Sequence, residues 1–262
     1  MSIPKVIHYC WFGRGDIPER DKKCIESWRK YCPDYEIIQW NEDNYDVTQV
    51  PYMKEAYEAK RWGFVPDFAR MDIVYRYGGI YLDTDVELIK SLDGLLENHG
   101  FAGREAPSGC IALGLGFGAE KNLPILKEWC DYYRKLRFID EDGKPNLKPN
   151  PIILEEYINK MGVIPEDTSV NELLGITILP PEYLCPQDYL TGRTKVTANT
   201  YSIHHYHASW QTEQEKQTIR EYQRFTRSLG EKYGELAYQF YKVIREQGII
   251  QAVKKIVGFL RK

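Results

Sequence analysis

Strand-like and helix-like runs alternate from the first residues of the chain, and that alternation admits few architectures. "IPKVIHYCWFG" carries a strand pattern from Ile3 to Cys10 that Gly13 interrupts. A helical spacing of Cys24, Ile25 and Trp28 follows, from about Pro18 to Tyr31, and Pro33 closes it before the strand-like "YEIIQWN" at 35–41. Such a βαβ unit predicts a parallel sheet with a right-handed crossover. "VPDFARMDIVYRYGG" predicts a helix with Pro66 in its first turn and Gly78-Gly79 at its C-cap, leading into a strand "IYLDTD". Downstream, "GFAGRE" and "GCIALGLGFGA" predict strands around a glycine-rich turn, and "LPILKEWCDYYRKLR" predicts a helix. "EDGKPNLKPNP" has loop composition, "ITILPP" and "TYSIHHYHASW" are strand-like, and the pattern is helical from Glu213 onward. The chain therefore reads as α/β. Open α/β sheets bind ligands beyond the carboxyl ends of their strands. Trp11, the Asp83/Asp85 pair and the His204–Trp210 stretch all fall at or just past such ends.

Charge divides the chain in two. Residues 212–262 hold 11 Lys and Arg against 6 Asp and Glu, a net of +5, while 1–211 hold 24 against 32, a net of −8. The expected organisation is a catalytic domain over 1–211 and a helical extension over 212–262. In "IIQAVKKIVGFLRK" (249–262) the apolar residues fall on one helical stripe beside four basic ones. A stripe of that kind fits either a packing face or peripheral contact with an anionic membrane. The six cysteines form no CxxC pair and read as reduced thiols. The N-terminus has no signal-peptide pattern and no run approaches transmembrane length, so a cytoplasmic location is expected, peripheral at the inner face of the membrane if the 249–262 stripe docks there. No nucleic-acid partner is expected.

Asp83 and Asp85 are the first candidates for chemistry in the chain. Side chains of a strand alternate, so the two carboxylates would share one side, roughly 6–7 Å apart at Cα. They could then hold one divalent cation, or simply cap a turn. Neither GxGxxG nor GxxxxGK[ST] occurs, so a bound phosphate would need a metal, Mn²⁺ or Mg²⁺. "GLGFG" (114–118) reads as a plain turn. Asp67 and Arg70, at i and i+3 of the expected helix, form either a local ion pair worth about 0.2–0.5 kcal/mol or a grip on sugar hydroxyls.

Taken in order, "IHYCWFG", "SWRKYCPDYEIIQWNED", "DFARMDIVYRYGGIYLDTDV" and "IHHYHASW" resemble glycosyltransferase family 32, the DXD-containing sugar transferases. The resemblance covers 3–90 well and 176–210 loosely. It implies a GT-A (Rossmann-like) nucleotide-sugar transferase fold with a mixed, mostly parallel sheet. It also implies a nucleotide-sugar donor such as a UDP-hexose, Mn²⁺ or Mg²⁺, retention of configuration, and a saccharide acceptor, free or lipid-linked, in capsular or surface polysaccharide synthesis. By position, Trp11 would stack on the base, and Asp67 and Arg70 would hold the donor sugar. Asp83 would touch ribose and metal, Asp85 would be the main metal ligand, and His205 the third, with His204 and His207 as neighbouring alternatives. Ser209 and Trp210 would contact the diphosphate. Retention by double displacement would need a further carboxylate, for which Glu105 and Asp188 are loop candidates. Two other readings stand beside this one: a haloacid-dehalogenase-like phosphatase with Asp83 as nucleophile, and a non-catalytic nucleotide-sugar binding module.

Overall fold

The computed structural model describes residues 3–106, 108–161, 170–173, 175–207 and 213–248. Its elements are β1 (Val6–Cys10), α1 (Glu19–Tyr31), β2 (Glu36–Trp40), α2 (Pro51–Glu58), α3 (Pro66–Tyr77), β3 (Gly79–Tyr81), β4 (Val86–Leu88) and β5 (Gly100–Gly103). There follow β6 (Phe117–Ala119), α4 (Pro124–Tyr133), α5 (Asn150–Lys160), β7 (Asn171–Leu173), β8 (Ile176–Leu179), α6 (Pro181–Leu184), β9 (Ser202–His204) and α7 (Glu213–Gln247). They fall into two compact units, Met1–Gln187 with Lys195–Trp210, and Asp188–Thr194 with Gln211–Lys262.

The first unit is built on a seven-stranded sheet of order β2-β1-β3-β6-β5-β8-β7, with β4 and β9 as a separate antiparallel pair. Strands β1, β2, β3, β5 and β8 run one way, and β6 and β7 run against them. The mixed, mostly parallel α/β sheet expected from the sequence is the one observed. Alternation along β1 sends Ile7 and Tyr9 to a core shared with Ile25 and Trp28 of α1, and Cys10 to a core shared with α2, α3, α4 and α5. Helices thus cover both faces, as a largely parallel sheet requires.

Helix α3 lies inside this unit and buries eight residues, among them Asp67, Arg70 and Asp72. Buried charge needs partners. Arg70 pairs with Asp67 at 3.2 Å, and Asp72 accepts a hydrogen bond from Tyr45 and pairs with Arg76. Two left-handed glycines, Gly78 (φ 70°) and Gly79 (φ 102°), turn the chain from α3 into β3. A Cβ on Gly79 would lie 2.8 Å from the Val6 carbonyl oxygen, so a side chain is excluded by space as well as by φ.

The helical C-terminal stretch expected from Glu213 is also observed, but it is not one rod. α7 breaks at Gly230 (φ 76°, ψ 169°) and its arms double back on each other. Tyr222 meets Tyr238 at 5.3 Å, Phe225 meets Tyr241 at 5.4 Å, and Arg245 reaches Glu221 at 3.0 Å. Among the described residues no helix is long and apolar enough to cross a membrane.

Candidate active site

The strand expected to run through Asp85 stops at Tyr81, and Asp83, Thr84 and Asp85 form a turn between β3 and β4. The turn closes with the Val86 N–H donating to the Asp83 carbonyl at 3.1 Å. Turn and ligand site are therefore not alternatives, because the turn brings the carboxylates together. β1 and β3 are parallel neighbours in the register His8↔Tyr81, so Trp11 and Asp83 leave the sheet at the same edge. Trp11 is half-exposed there, with its indole N–H donating to the Gly15 carbonyl at 2.6 Å, and it is not a core residue.

The third member of the cluster is His204. Donor atoms of Asp83, Asp85 and His204 lie within 4.8 Å of one another. β4 and β9 pair Val86 with His204, which sets the His204 Nε2 at 3.2 Å from Asp85 Oδ1. The next residue points the other way, and His205, expected as the ligand, instead places Nε2 at 2.8 Å from Glu87 Oε2. His205 keeps a backbone tie to the turn, its N–H donating to the Asp85 carbonyl at 3.0 Å. His207 donates its backbone N–H to Asp85 Oδ2 at 2.8 Å, while its ring meets the buried Asp21 of α1.

Opposite charges hold the cluster together. Burial works to raise the Asp85 carboxyl, but His204 and the His207 amide outweigh it and hold the group below the usual carboxylate range. Burial likewise works against a charged His204, yet Asp85 prevails and the ring's pKa rises. Burial raises Asp83, and Arg70 offsets this only in part. Arg70 bridges the site to α3, with Nη1 at 3.6 Å from Asp83 and Nη2 at 3.2 Å from Asp67. One guanidinium thus serves two carboxylates, and burial pushes Asp67 up to about 7 despite it. Tyr52 also donates to Asp67, at 3.2 Å. Of the two readings weighed from sequence, the local ion pair is present, between two buried side chains.

Gly114 belongs to this site, although its "GLGFG" context reads as an ordinary turn. Its carbonyl accepts the Asp83 N–H at 3.2 Å. A Cβ there would collide with Asp83 Oδ2 and lie 3.1 Å from Arg70 Nη1. Ser209 and Trp210, the expected diphosphate contacts, lie outside the described residues. Asp188 caps a turn of the second unit, accepting the Thr191 N–H at 2.8 Å.

A family model described as the glycosyltransferase sugar-binding region containing the DXD motif matches residues 18–102, which include Asp67, Arg70, Asp83 and Asp85. Inositol phosphoceramide mannosyltransferase 3 of Schizosaccharomyces pombe is 35% identical over 133 residues, 48% of this chain and 35% of that protein. A mannosyl phosphorylinositol ceramide synthase of Saccharomyces cerevisiae is 31% identical over 115 residues, 41% of this chain and 29% of that protein. The chain spans about a third of the length of the curated relatives it matches. The solved structure of a glycosyltransferase involved in glycosylation of the major capsid of PBCV-1 aligns with a TM-score of 0.46 at 14% identity, covering 83% of this chain and 99% of that one.

Proposed function

We propose, from the match of residues 18–102 to the model of the DXD-containing glycosyltransferase sugar-binding region, that the chain is a metal-dependent GT-A-type glycosyltransferase. It moves a hexose from a nucleoside diphosphate sugar to a saccharide acceptor. The observation that carries this proposal is the convergence of Asp83, Asp85 and His204 at the carboxyl edge of the sheet.

The donor set fits a divalent cation. Asp83 brings a carboxylate, Asp85 a carboxylate that already favours its ionised form, and His204 an imidazole whose Nε2 lies 3.2 Å from Asp85 Oδ1 and whose buried Nδ1 has no hydrogen-bond partner among the described residues. Two carboxylates with an imidazole suit Mn²⁺ better than Mg²⁺, which prefers oxygen throughout. When bound, the ion would offset the charge that develops on the diphosphate as the sugar departs. The chain's own groups do the rest. Arg70, fixed between Asp67 and Asp83, would present a cation beside the leaving group, and with Asp67 would hold the donor sugar. Trp11 offers a half-exposed ring for the nucleobase at the same edge.

In its finer form the proposal takes UDP as the nucleotide, retention of configuration, and a capsular or surface glycan as acceptor, with the enzyme in the cytoplasm. All six cysteines are free thiols, five of them buried, which suits a reducing compartment. The relatives' own names point instead to mannosyl transfer onto inositol phosphoceramide. A panel of UDP- and GDP-sugars assayed for Mn²⁺-dependent nucleoside diphosphate release chooses between them. Asp85→Asn preserves size and removes the charge, so turnover is expected to fall by at least about a hundredfold, about 2.7 kcal/mol in barrier, with the melting temperature unchanged. Full activity in a normally folded variant would contradict the assignment.

A further inference from the structure

We propose that Asp21 of α1 is a positioning residue of the cation site, fixing through His207 the orientation in which Asp85 meets a metal ion. The inference rests on the cation binding proposed above and adds a residue that acts through another side chain.

The placement of Asp21 breaks the pattern of its helix. The buried stripe of α1 is Asp21, Cys24, Ile25 and Trp28, the i, i+3, i+4, i+7 spacing of a packing face. An apolar residue would suit the first position as well as the other three. Asp21 is instead a carboxylate only 1% exposed, and a charge so placed is costly unless it is paired. It does not serve as a cap, since α1 has no side-chain capping bond. Its Oδ1 lies 2.5 Å from His207 Nδ1 and 3.6 Å from Arg20 Nε. The carboxylate accepts, so the ring donates from Nδ1.

That bond leads to the site within one residue. The His207 backbone N–H donates to Asp85 Oδ2 at 2.8 Å, while His204 Nε2 stands 3.2 Å from Asp85 Oδ1. Both oxygens of Asp85 are thereby engaged, and the His207 amide sets the rotation of the carboxylate. The backbone that aims this amide is strained. Tyr206, just before it, has a φ of 51°, in the left-handed region that a residue with a side chain rarely enters. Such a conformation persists only where its surroundings hold it. Tyr206 is held by its hydroxyl, 2.9 Å from Cys185 Sγ, and by edge-on packing against His204 at 4.2 Å. His207 is held by α1 at two points, its ring by Asp21 and its carbonyl by Arg20 Nη2 at 3.3 Å.

α1 is a firm support for this purpose. Trp28 Nε1 donates to the Val86 carbonyl at 2.7 Å, and Ser27 Oγ accepts the Leu88 N–H at 2.8 Å. Those two contacts dock the helix on β4, whereas Asp21 reaches past β9 to the residue that touches Asp85. Groups that orient a metal ligand from behind typically contribute about ten- to a hundredfold to metal affinity or activity.

The test is calorimetric Mn²⁺ titration of the full chain, beside the Mn²⁺ dependence of nucleoside diphosphate release from UDP-glucose, UDP-galactose and GDP-mannose with water as acceptor. Asp21→Ala is expected to weaken Mn²⁺ binding about ten- to a hundredfold. The Mn²⁺ concentration for half-maximal release is expected to rise by the same factor, with the rate at saturating Mn²⁺ within about threefold of the wild type. Asp21→Asn keeps the size and an acceptor oxygen for the His207 ring, and is expected to restore binding to within about threefold of the wild type. His207→Phe cuts the same link from its more exposed side, and it replaces Asp21→Ala if that variant fails to fold. Ser27→Ala loosens α1 on β4 without touching Asp85, so it is expected to lower the melting temperature and leave Mn²⁺ affinity unchanged. Unchanged affinity in Asp21→Ala or His207→Phe overturns the role of Asp21 and leaves the cation site standing. So does an equal loss in Ser27→Ala, or a loss in Asp21→Asn as large as in Asp21→Ala. Failure of the wild type to bind Mn²⁺ overturns the cation site and this inference together.

Discussion

Gly114 illustrates how a residue can be indispensable through what it lacks. Its φ is ordinary, so backbone freedom is not the reason for glycine here. The reason is the carboxylate and guanidinium packed where a Cβ would stand. Gly114→Ala is expected to push Asp83 out of the cluster, weakening Mn²⁺ binding at least about tenfold while costing about 1–3 kcal/mol of stability as overpacking does. Calorimetric titration with Mn²⁺, beside a thermal melt, checks this, and unchanged affinity would place Gly114 outside the site. Single residues were unequally legible in the sequence. Asp83, Asp85, Asp67 and Arg70 are ionisable groups in strongly patterned context, and the sequence alone singles out these four, which the fold brings together. His204 and His205 are chemically identical neighbours, and only the β4–β9 register turns one toward Asp85 and the other toward Glu87.

Among elements, β1, α1, β2 and α3 match their sequence expectations closely because each has clear periodicity and a proline or glycine at its boundary. α2 and α5 do not stand out, since each begins at or beside a proline within loop-like composition, and α2 is only eight residues long. The junction of β1, β2 and the end of α3 depends on buried His8. Trp40 donates to His8 Nδ1 at 3.2 Å, so Nε2 carries the hydrogen and donates to the Gly78 carbonyl at 2.8 Å. Burial lowers the ring's pKa, and the Gly78 carbonyl offsets this only in part. Below the usual histidine value the unfolded chain then binds more protons than the folded one. His8 therefore makes stability fall as pH drops below about 6.5, by up to about 1.4 kcal/mol per pH unit. Asp67, raised to about 7, acts oppositely, costing stability as pH rises from about 4 toward 7. Urea midpoints of the wild type and His8→Gln between pH 5 and 8 separate the two. The variant is expected to lose less stability on acidification, and parallel curves would mean His8 does not titrate as described.

For the whole molecule, the charge asymmetry was visible in the sequence, whereas the place of residues 188–194 in the second unit was not. Residues 188–194 join the helices of α7 because Tyr189 and Leu190 carbonyls accept from Gln223 and Thr226 at 2.7 Å, contacts between segments more than thirty residues apart. The stripe expected over 249–262 lies outside the described residues. If it serves a membrane, the full chain is expected to co-sediment with anionic vesicles at low salt and to release them as salt rises, with deletion of 249–262 abolishing binding. No sedimentation of the full chain would make the stripe a packing face. The three groups converging on the sheet edge are proposed to hold the cation that a donor diphosphate needs. Mn²⁺ titration of the wild type, His204→Ala and His205→Ala tests this most directly. His204→Ala is expected to weaken binding by at least about tenfold, and His205→Ala to bind as the wild type does. Loss of binding in His205→Ala with His204→Ala unaffected would contradict it.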